Sequence, residues 1–452
     1  MSRHNVVLIL CDQMQYRQQG WVDGVARTPN LDRFARENVA FTSMFVSCPQ
    51  CTPSRVSLQT GLYPHEAHVM TNYGFFDHTA HLGPEHLSVG MVFRDAGYAT
   101  AYFGKSHLGY PLTELGYDHA VEHGGVPGEL ARVDAQITRD AITFVRDHGR
   151  GRPLFLTVSW HEPHPPFELV ERFAANYRPE TFVPPASFAD SLAGKPEFIG
   201  RRRQEAEGRM DPDRFSGEQL RYLTMISNID SEFRLLRSGL EQLDLWDDTV
   251  VVFTSDHGDL MGAHGMRLKG TLPYDELLRV PMLLHAPGRE RTRAVVDDLV
   301  SNVAIPGTLM DLAGIGRPVA WPDRSLVHVL DTPVDPESQA IYAEHYAAYW
   351  GVHPLRLVRT RRWKYVRYYG PDEPTRELYD LETDPHELHN LSVGSEDSAR
   401  SEYHDVEEAL DAKLERWWVE TGGYDFTTYE GDDFRYNGKA NLLADNAKWG
   451  FT

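Results

Sequence analysis

Two short runs of the chain carry acids directly after an apolar stretch: Leu10-Cys11-Asp12-Gln13, and Phe253-Thr254-Ser255-Asp256-His257-Gly258-Asp259. Carboxylates at the tips of two strands, with the amide of Gln13 and the imidazole of His257 beside them, make an oxygen-rich donor set suited to a divalent cation. The competing reading is that each aspartate merely caps the turn or helix after its strand. A third segment, Cys48-Pro49-Gln50-Cys51-Thr52-Pro53-Ser54-Arg55, admits three readings. Its C-x-x-C spacing fits a redox dithiol. Its cysteines also fit plain buried packing. Residues 51–55, finally, form the pattern C-x-P-S-R, whose chemistry depends on what becomes of the cysteine.

These residues can cooperate only if the fold gathers them at one edge. Val6–Leu10 is a continuous aliphatic run, as expected of a strand buried on both faces. Comparable runs occur at Tyr98–Phe103, Leu154–Trp160, Thr249–Thr254 and Pro281–His285, with helical patterns at about 88–96, 131–147, 217–243 and 304–313 between them. A further helix opens at Thr28-Pro29, with Thr28 as its expected N-cap and Pro29 at the first helical position. Such alternation predicts an α/β fold: a large, mostly parallel sheet flanked by helices, with ligands beyond the carboxyl ends of the strands. Prolines at 322, 333 and 336 interrupt the pattern. Beyond them hairpin-like segments at Leu355–Thr360, Trp363–Tyr369 and Glu377–Leu381 precede a helix at about 402–418. The expected division is an α/β domain over 1–330, a smaller α+β domain on an antiparallel sheet over 331–420, and a Gly- and aromatic-rich tail over 421–452 that could contact a second copy in a homo-oligomer.

The chain has 452 residues and a formal charge of −21, from 45 Lys plus Arg against 66 Asp plus Glu. A surface that negative repels phosphate backbones and anionic lipid, which argues against nucleic-acid or membrane-surface work. It leaves room for a small anionic substrate in a cleft lined by cations. No stretch approaches the roughly 18 apolar residues of a membrane span, and the amino terminus lacks the features of a secretory signal, so the expected location is the cytoplasm. Three cysteines cannot make a disulfide framework in a chain of this length.

Cys51-Thr52-Pro53-Ser54-Arg55 resembles the signature of the sulfatase family within the alkaline phosphatase superfamily. Other blocks resemble that family in its order: Thr60-Gly61-Leu62-Tyr63-Pro64, Gly104-Lys105-Ser106-His107-Leu108-Gly109, Ser159-Trp160-His161-Glu162-Pro163-His164, Ser255-Asp256-His257-Gly258 with Gly262-Ala263-His264-Gly265, Lys269-Gly270, Arg279-Val280-Pro281 and Leu378-Tyr379-Asp380. The resemblance implies a hydrolase of sulfate esters, acting on a small-molecule or carbohydrate substrate. It implies that Cys51 is oxidised by a formylglycine-generating enzyme to formylglycine, whose hydrate is the nucleophile. A geminal diol suits the task because one hydroxyl attacks sulfur and the other expels sulfate as the aldehyde re-forms. Pro53 presets the first helical turn, the helix N-terminus favours an anion at residue 51, and Arg55 lies one turn on, placed to reach back and hold the nucleophile. By the same resemblance Asp12, Gln13, residue 51, Asp256 and His257 hold the metal, and Asp256 accepts the nucleophile's proton. Lys105 and Lys269 neutralise sulfate oxygens, His164 assists the leaving oxygen, His107 deprotonates the remaining hydroxyl, and Asn72 donates to the bound ester.

Two positions depart from the commoner pattern: Gln13 stands where many sulfatases carry a second aspartate, and His257 where many carry asparagine. Calcium is the expected cation, with manganese as its competitor because an imidazole softens the donor set. Asp-Gln in the first position is similar to choline-sulfatase-like and carbohydrate sulfatases, and its combination with Asp-His is similar to phosphonate monoester hydrolases. A phosphonate monoester or phosphodiester hydrolase with the same nucleophile is therefore the alternative, and a catalytically dead binding protein is the more distant one. His161 and His264 are expected to support the site or serve structure. Trp160, His345-Tyr346 and Tyr349-Trp350 either line the substrate pocket or fill the core.

Overall fold

A computed structural model of the chain describes residues 3–73, 82–83, 85–148, 151–289, 292–348, 351–369, 375–392 and 403–423. Eight strands form the main sheet: β1 (Asn5–Cys11), β2 (Val39–Phe41), β3 (Ala99–Gly104), β4 (His119–Val121), β5 (Leu154–Ser159), β6 (Thr249–Ser255), β7 (Met282–His285) and β8 (Val295–Val296). Their spatial order is β4-β3-β5-β1-β6-β7-β2-β8, and only β7 runs antiparallel to its neighbours. The expected α/β class is what the chain adopts.

The aliphatic run of β1 serves both faces of the sheet. Val6, Leu8 and Leu10 join one core with Phe93, Tyr102 and Phe155, while Val7 and Ile9 join another with Ile137, Phe233 and Phe253. Helices α1 (Pro29–Glu37), α2 (Cys51–Thr60), α3 (Val89–Asp95), α4 (Leu130–His148), α5 (Pro212–Gln242) and α6 (Ile305–Leu312) cover these faces. Alternate side chains of a strand point to opposite faces, so only an unbroken apolar run suits a strand covered on both sides.

The register sets the site. β1 lies between β5 and β6, with Leu10 opposite Ser159 and Thr254, and Cys11 opposite Ser255. On the far side of β5, Gly104 pairs with Ser159. The chain therefore leaves β1 at Asp12, β3 at Lys105, β5 at Trp160 and β6 at Asp256 along one edge.

The smaller sheet is antiparallel, in the order β9 (Ile341–Ala348), β10 (Gly351–Arg359), β11 (Trp363–Tyr368) and β12 (Arg376–Asp380). Helix α7 (His404–Glu420) packs Leu410, Leu414, Trp417 and Trp418 against Val358, Tyr365 and Leu378. The sequence pattern did not predict β9, because its centre carries Glu344 and His345, both buried here. Their partners are far off in sequence: Glu344 accepts from the His65 amide at 3.0 Å, and His345 Nε2 meets Gln50 Oε1 at 3.0 Å.

Two local expectations need correction. Thr28 makes no cap bond, since its hydroxyl donates to Asp32; Asp230 of α5 accepts instead from the amides of Asn30 and Leu31. Helix α5 starts at Pro212 rather than 217, because Asp211 caps the Arg214 amide and proline suits the first turn. Trp160 is buried in the core with its indole N–H donating to Thr138 Oγ1 at 3.0 Å, so it does not line a pocket. Tyr349, Trp350 and the tail from residue 424 lie outside the described residues. Among the described residues no helix is long and apolar enough to cross a membrane.

Candidate active site

Helix α2 delivers Cys51 to the edge where β1 and β6 end, and each residue of its first turn has work to do. The amide of Thr52 donates to Asn72 Oδ1 at 2.9 Å, which supplies the cap that Gln50 does not. Thr52 Oγ1 donates to the His107 carbonyl and accepts from the Tyr73 amide. Ser54 Oγ donates to the Asp256 carbonyl at 2.5 Å and accepts from Asn302 Nδ2. Arg55 Nε donates to Asp256 Oδ2 at 2.7 Å, and its Nη1 donates to the Lys105 carbonyl and Ser159 Oγ. The start of α2 is thereby fixed to the tips of β3, β5 and β6.

Around the Cys51 sulfur stand Lys269 Nζ at 2.8 Å, His257 Nε2 at 3.2 Å, Lys105 Nζ at 3.7 Å and Asp12 Oδ1 at 3.8 Å. Lys105 also pairs with Asp12 Oδ2. Lys269 Nζ further donates to Gln13 Oε1 at 2.9 Å and to His257 Nε2 at 3.0 Å. Burial alone would push the Cys51 thiol up, but Lys105, Lys269 and His257 together hold it well below the usual range. Cys48 goes the other way: burial first, then Glu344, pushes its thiol up. Cys48 and Cys51 are both free and buried, and no disulfide joins them. The site favours negative charge at one atom, the side-chain terminus of residue 51.

One ligand atom each from Asp12, Cys51, Asp256 and His257 lies within 4.8 Å of the others, and all four residues are buried. The donor chemistry fits a divalent cation. His257 Nδ1 donates to the Gly258 carbonyl at 2.9 Å, which leaves the lone pair of Nε2 facing the cluster. Asp256 Oδ1 accepts from the amides of Gln13 and His257, and Oδ2 accepts from Arg55. Four lone pairs less three leaves one, which a cation would take. Asp256 is thus held fixed with one free lone pair, and the proton-acceptor role expected of it would compete with a cation for that lone pair.

Every residue expected at the site is brought to this edge, though two act differently from expectation. Arg55 does not reach back to residue 51; its guanidinium crosses to Asp256, because that buried carboxylate is the stronger acceptor. Asn72 commits its oxygen to the Thr52 amide, so its first task is capping. His164 Nδ1 lies 2.6 Å from the Pro165 carbonyl, and burial depresses the ring while Asp12 opposes that. His161 bonds the His123 carbonyl and His264 bonds Asp190, so both serve the surrounding structure. Sequence reasoning missed Ser159, Asn302 and Asp259. Asp259 is fully buried and accepts from Gln13 Nε2, and an amide at position 13 was the available sign that such an acceptor would be needed. The cap itself yields a prediction. Asn72→Ala is expected to cost about 1 kcal/mol of stability, read from the midpoint of denaturant unfolding, because it orphans the Thr52 amide.

The protein-family model described as Sulfatase matches residues 4–315, and that described as N-sulphoglucosamine sulphohydrolase, C-terminal matches residues 262–419. The chain is 28% identical over 453 residues to the ulvan-active sulfatase of Formosa agariphila, covering 93% of this chain and 82% of that one. The structure of BT4656 in complex with its substrate D-glucosamine-2-N,6-O-disulfate has the same fold, with a TM-score of 0.80, 21% identity and coverage of 93% and 98%. The phosphonate monoester hydrolase of Agrobacterium radiobacter shares the fold too, with a TM-score of 0.78, 22% identity and coverage of 93% and 96%.

Proposed function

The chain belongs to the sulfatase family, and from that premise we propose that it hydrolyses a sulfate ester to an alcohol and sulfate, with residue 51 acting as formylglycine hydrate beside one divalent metal. The observation that carries this reading is the convergence of Lys105, Lys269 and His257 on the end of the Cys51 side chain. In the unmodified chain the sulfur stands in for the oxygens of the hydrated aldehyde. An oxygen-bearing side chain fits better than sulfur here, because sulfur is a weak acceptor and the ammonium groups of Lys269 and Lys105 both point at it.

Asp12, Gln13, Asp256 and His257 would hold the cation, calcium or, because of the imidazole, manganese. Once bound it supplies Lewis-acid polarisation of a sulfate oxygen and lowers the cost of a negative oxygen at residue 51. The chain's own residues do the rest. Lys105 and Lys269 set positive charge against sulfate oxygens in a water-poor cleft, where it stabilises the developing charge most. His164, its ring fixed through Pro165, gives a proton to the departing alcohol; the incoming anion opposes the burial that depresses it and favours its protonated form. His107 removes the proton from the second hydroxyl, so that the aldehyde re-forms and sulfate leaves.

A formylglycine-generating enzyme would supply the modification, and a carbohydrate sulfate is the substrate class that the ulvan-active relative supports. The combination of Gln13 and His257 favours a second reading, phosphonate monoester or phosphodiester hydrolysis by the same nucleophile. Mass analysis of the peptide containing residue 51, together with turnover on an aryl sulfate and an aryl phosphonate, tests both. The expected outcome is an aldehyde at residue 51 and faster sulfate hydrolysis. An unmodified thiol with undiminished activity overturns the nucleophile, and faster phosphonate hydrolysis overturns the substrate.

A further inference from the structure

The amide of Gln13 faces two neighbours of opposite character. Its Oε1 accepts from Lys269 Nζ at 2.9 Å, and its Nε2 donates to Asp259 Oδ2 at 2.5 Å. An ammonium has only donors and a carboxylate only acceptors, so the two neighbours jointly fix which end of the amide is oxygen. Asp259 cannot turn away. Its Oδ1 accepts from the amides of Met261 at 2.7 Å and Leu268 at 3.2 Å, and the residue is fully buried. Gln13 is pinned as well, with a left-handed backbone at φ 70° and its own amide donating to Asp256. We propose that Asp259 is a positioning residue that turns the Gln13 amide oxygen toward the cation site and makes position 13 one that takes an amide and rejects a carboxylate.

The inference rests on the metal site of the proposed function and leads to a result that charge counting gets backwards. A glutamate at 13 adds a negative charge beside a cation and by Coulomb's law alone should tighten binding. Here the new carboxylate would also face Asp259 across a hydrogen-bond distance from which the proton has been removed. Two buried like charges in contact cost more than the added charge contributes, so Gln13→Glu is expected to weaken the cation. Asp259→Asn also weakens it. The asparagine must keep its oxygen toward Met261 and Leu268, so its NH2 meets the NH2 of Gln13, and relieving that clash by flipping Gln13 aims a donor at Lys269. The double variant removes both conflicts, since the amide introduced at position 259 then donates to the carboxylate introduced at position 13.

The test is a double-mutant cycle read by calorimetric titration of metal-free protein with Mn2+, with thermal unfolding without metal as a control for folding and aryl sulfate turnover alongside. Each single variant is expected to raise the Kd about 10- to 100-fold, the usual range for a residue that orients a metal ligand. The double variant is expected to bind at least as tightly as the natural protein. Losses that simply add, a single variant within about twofold of the natural Kd, or tighter binding by Gln13→Glu alone each overturn the inference while the metal-dependent sulfatase reading stands. If the natural protein hydrolyses sulfate esters and binds no divalent cation, the metal part of that reading fails and this inference fails with it.

Discussion

Cys51→Ala is expected to lower sulfate-ester turnover by at least ~10⁴-fold, since it removes the atom that attacks sulfur and leaves only the binding groups. Cys48→Ser, three residues away, is expected to stay within about twofold, because Cys48 packs in the core and touches none of the convergent cations. Cys51→Ser separates the oxidised nucleophile from an ordinary one. A serine has one hydroxyl, so it can be sulfated and has no second hydroxyl through which to expel the group. Pre-steady-state release of alcohol should then show a burst of about one equivalent per enzyme, followed by turnover near background. Steady turnover by the serine variant at the natural rate would show that no second hydroxyl is needed and would remove the case for a hydrated aldehyde.

The parts of this site that could be read in the sequence are those in which local pattern and chemistry coincide. The run Val6–Leu10 is apolar at every position because both faces of β1 are covered, and Asp12 follows it at the point where a doubly wound sheet presents its ligands. Asp256 follows β6 for the same reason, so two aspartates far apart in the chain become neighbours through a register that pairs Leu10 with Thr254. What could not be read is whatever depends on a partner remote in sequence. The direction of the Arg55 guanidinium is decided by Asp256, the orientation of the Gln13 amide by Asp259 and Lys269, and the cap on α1 by Asp230. β9 was hidden for the same reason. Glu344 looks like a surface residue until His65 is seen to satisfy it, as Gln50 does His345, and such polar pairs inside a fold leave no periodicity behind.

The Arg55–Asp256 pair separates stability from catalysis at one point of the site. Both side chains are buried, at 2% and 0% exposure, and joined at 2.7 Å. Asp256→Ala is expected to abolish cation binding and to reduce turnover by about 10³-fold or more, as for loss of a ligand in a metal-assisted reaction. It is also expected to destabilise the fold by roughly 3–5 kcal/mol, because Arg55 is left as a buried charge with only the Lys105 carbonyl and Ser159 as neutral partners. Asp256 also accepts from the amides of Gln13 and His257, so the loops after β1 and β6 lose an anchor at the same time. Loss of activity in this variant alone could therefore come from either source. The double variant Arg55→Met with Asp256→Ala resolves the matter. Replacing a buried ion pair by apolar side chains of similar volume is often close to neutral in stability, so much of the roughly 3–5 kcal/mol should return. Activity and cation binding should not. Chemical unfolding of both variants beside the natural protein, with Mn2+ titration of each, gives the reading. Recovery of activity together with stability would mean that Asp256 supports the fold without holding the metal.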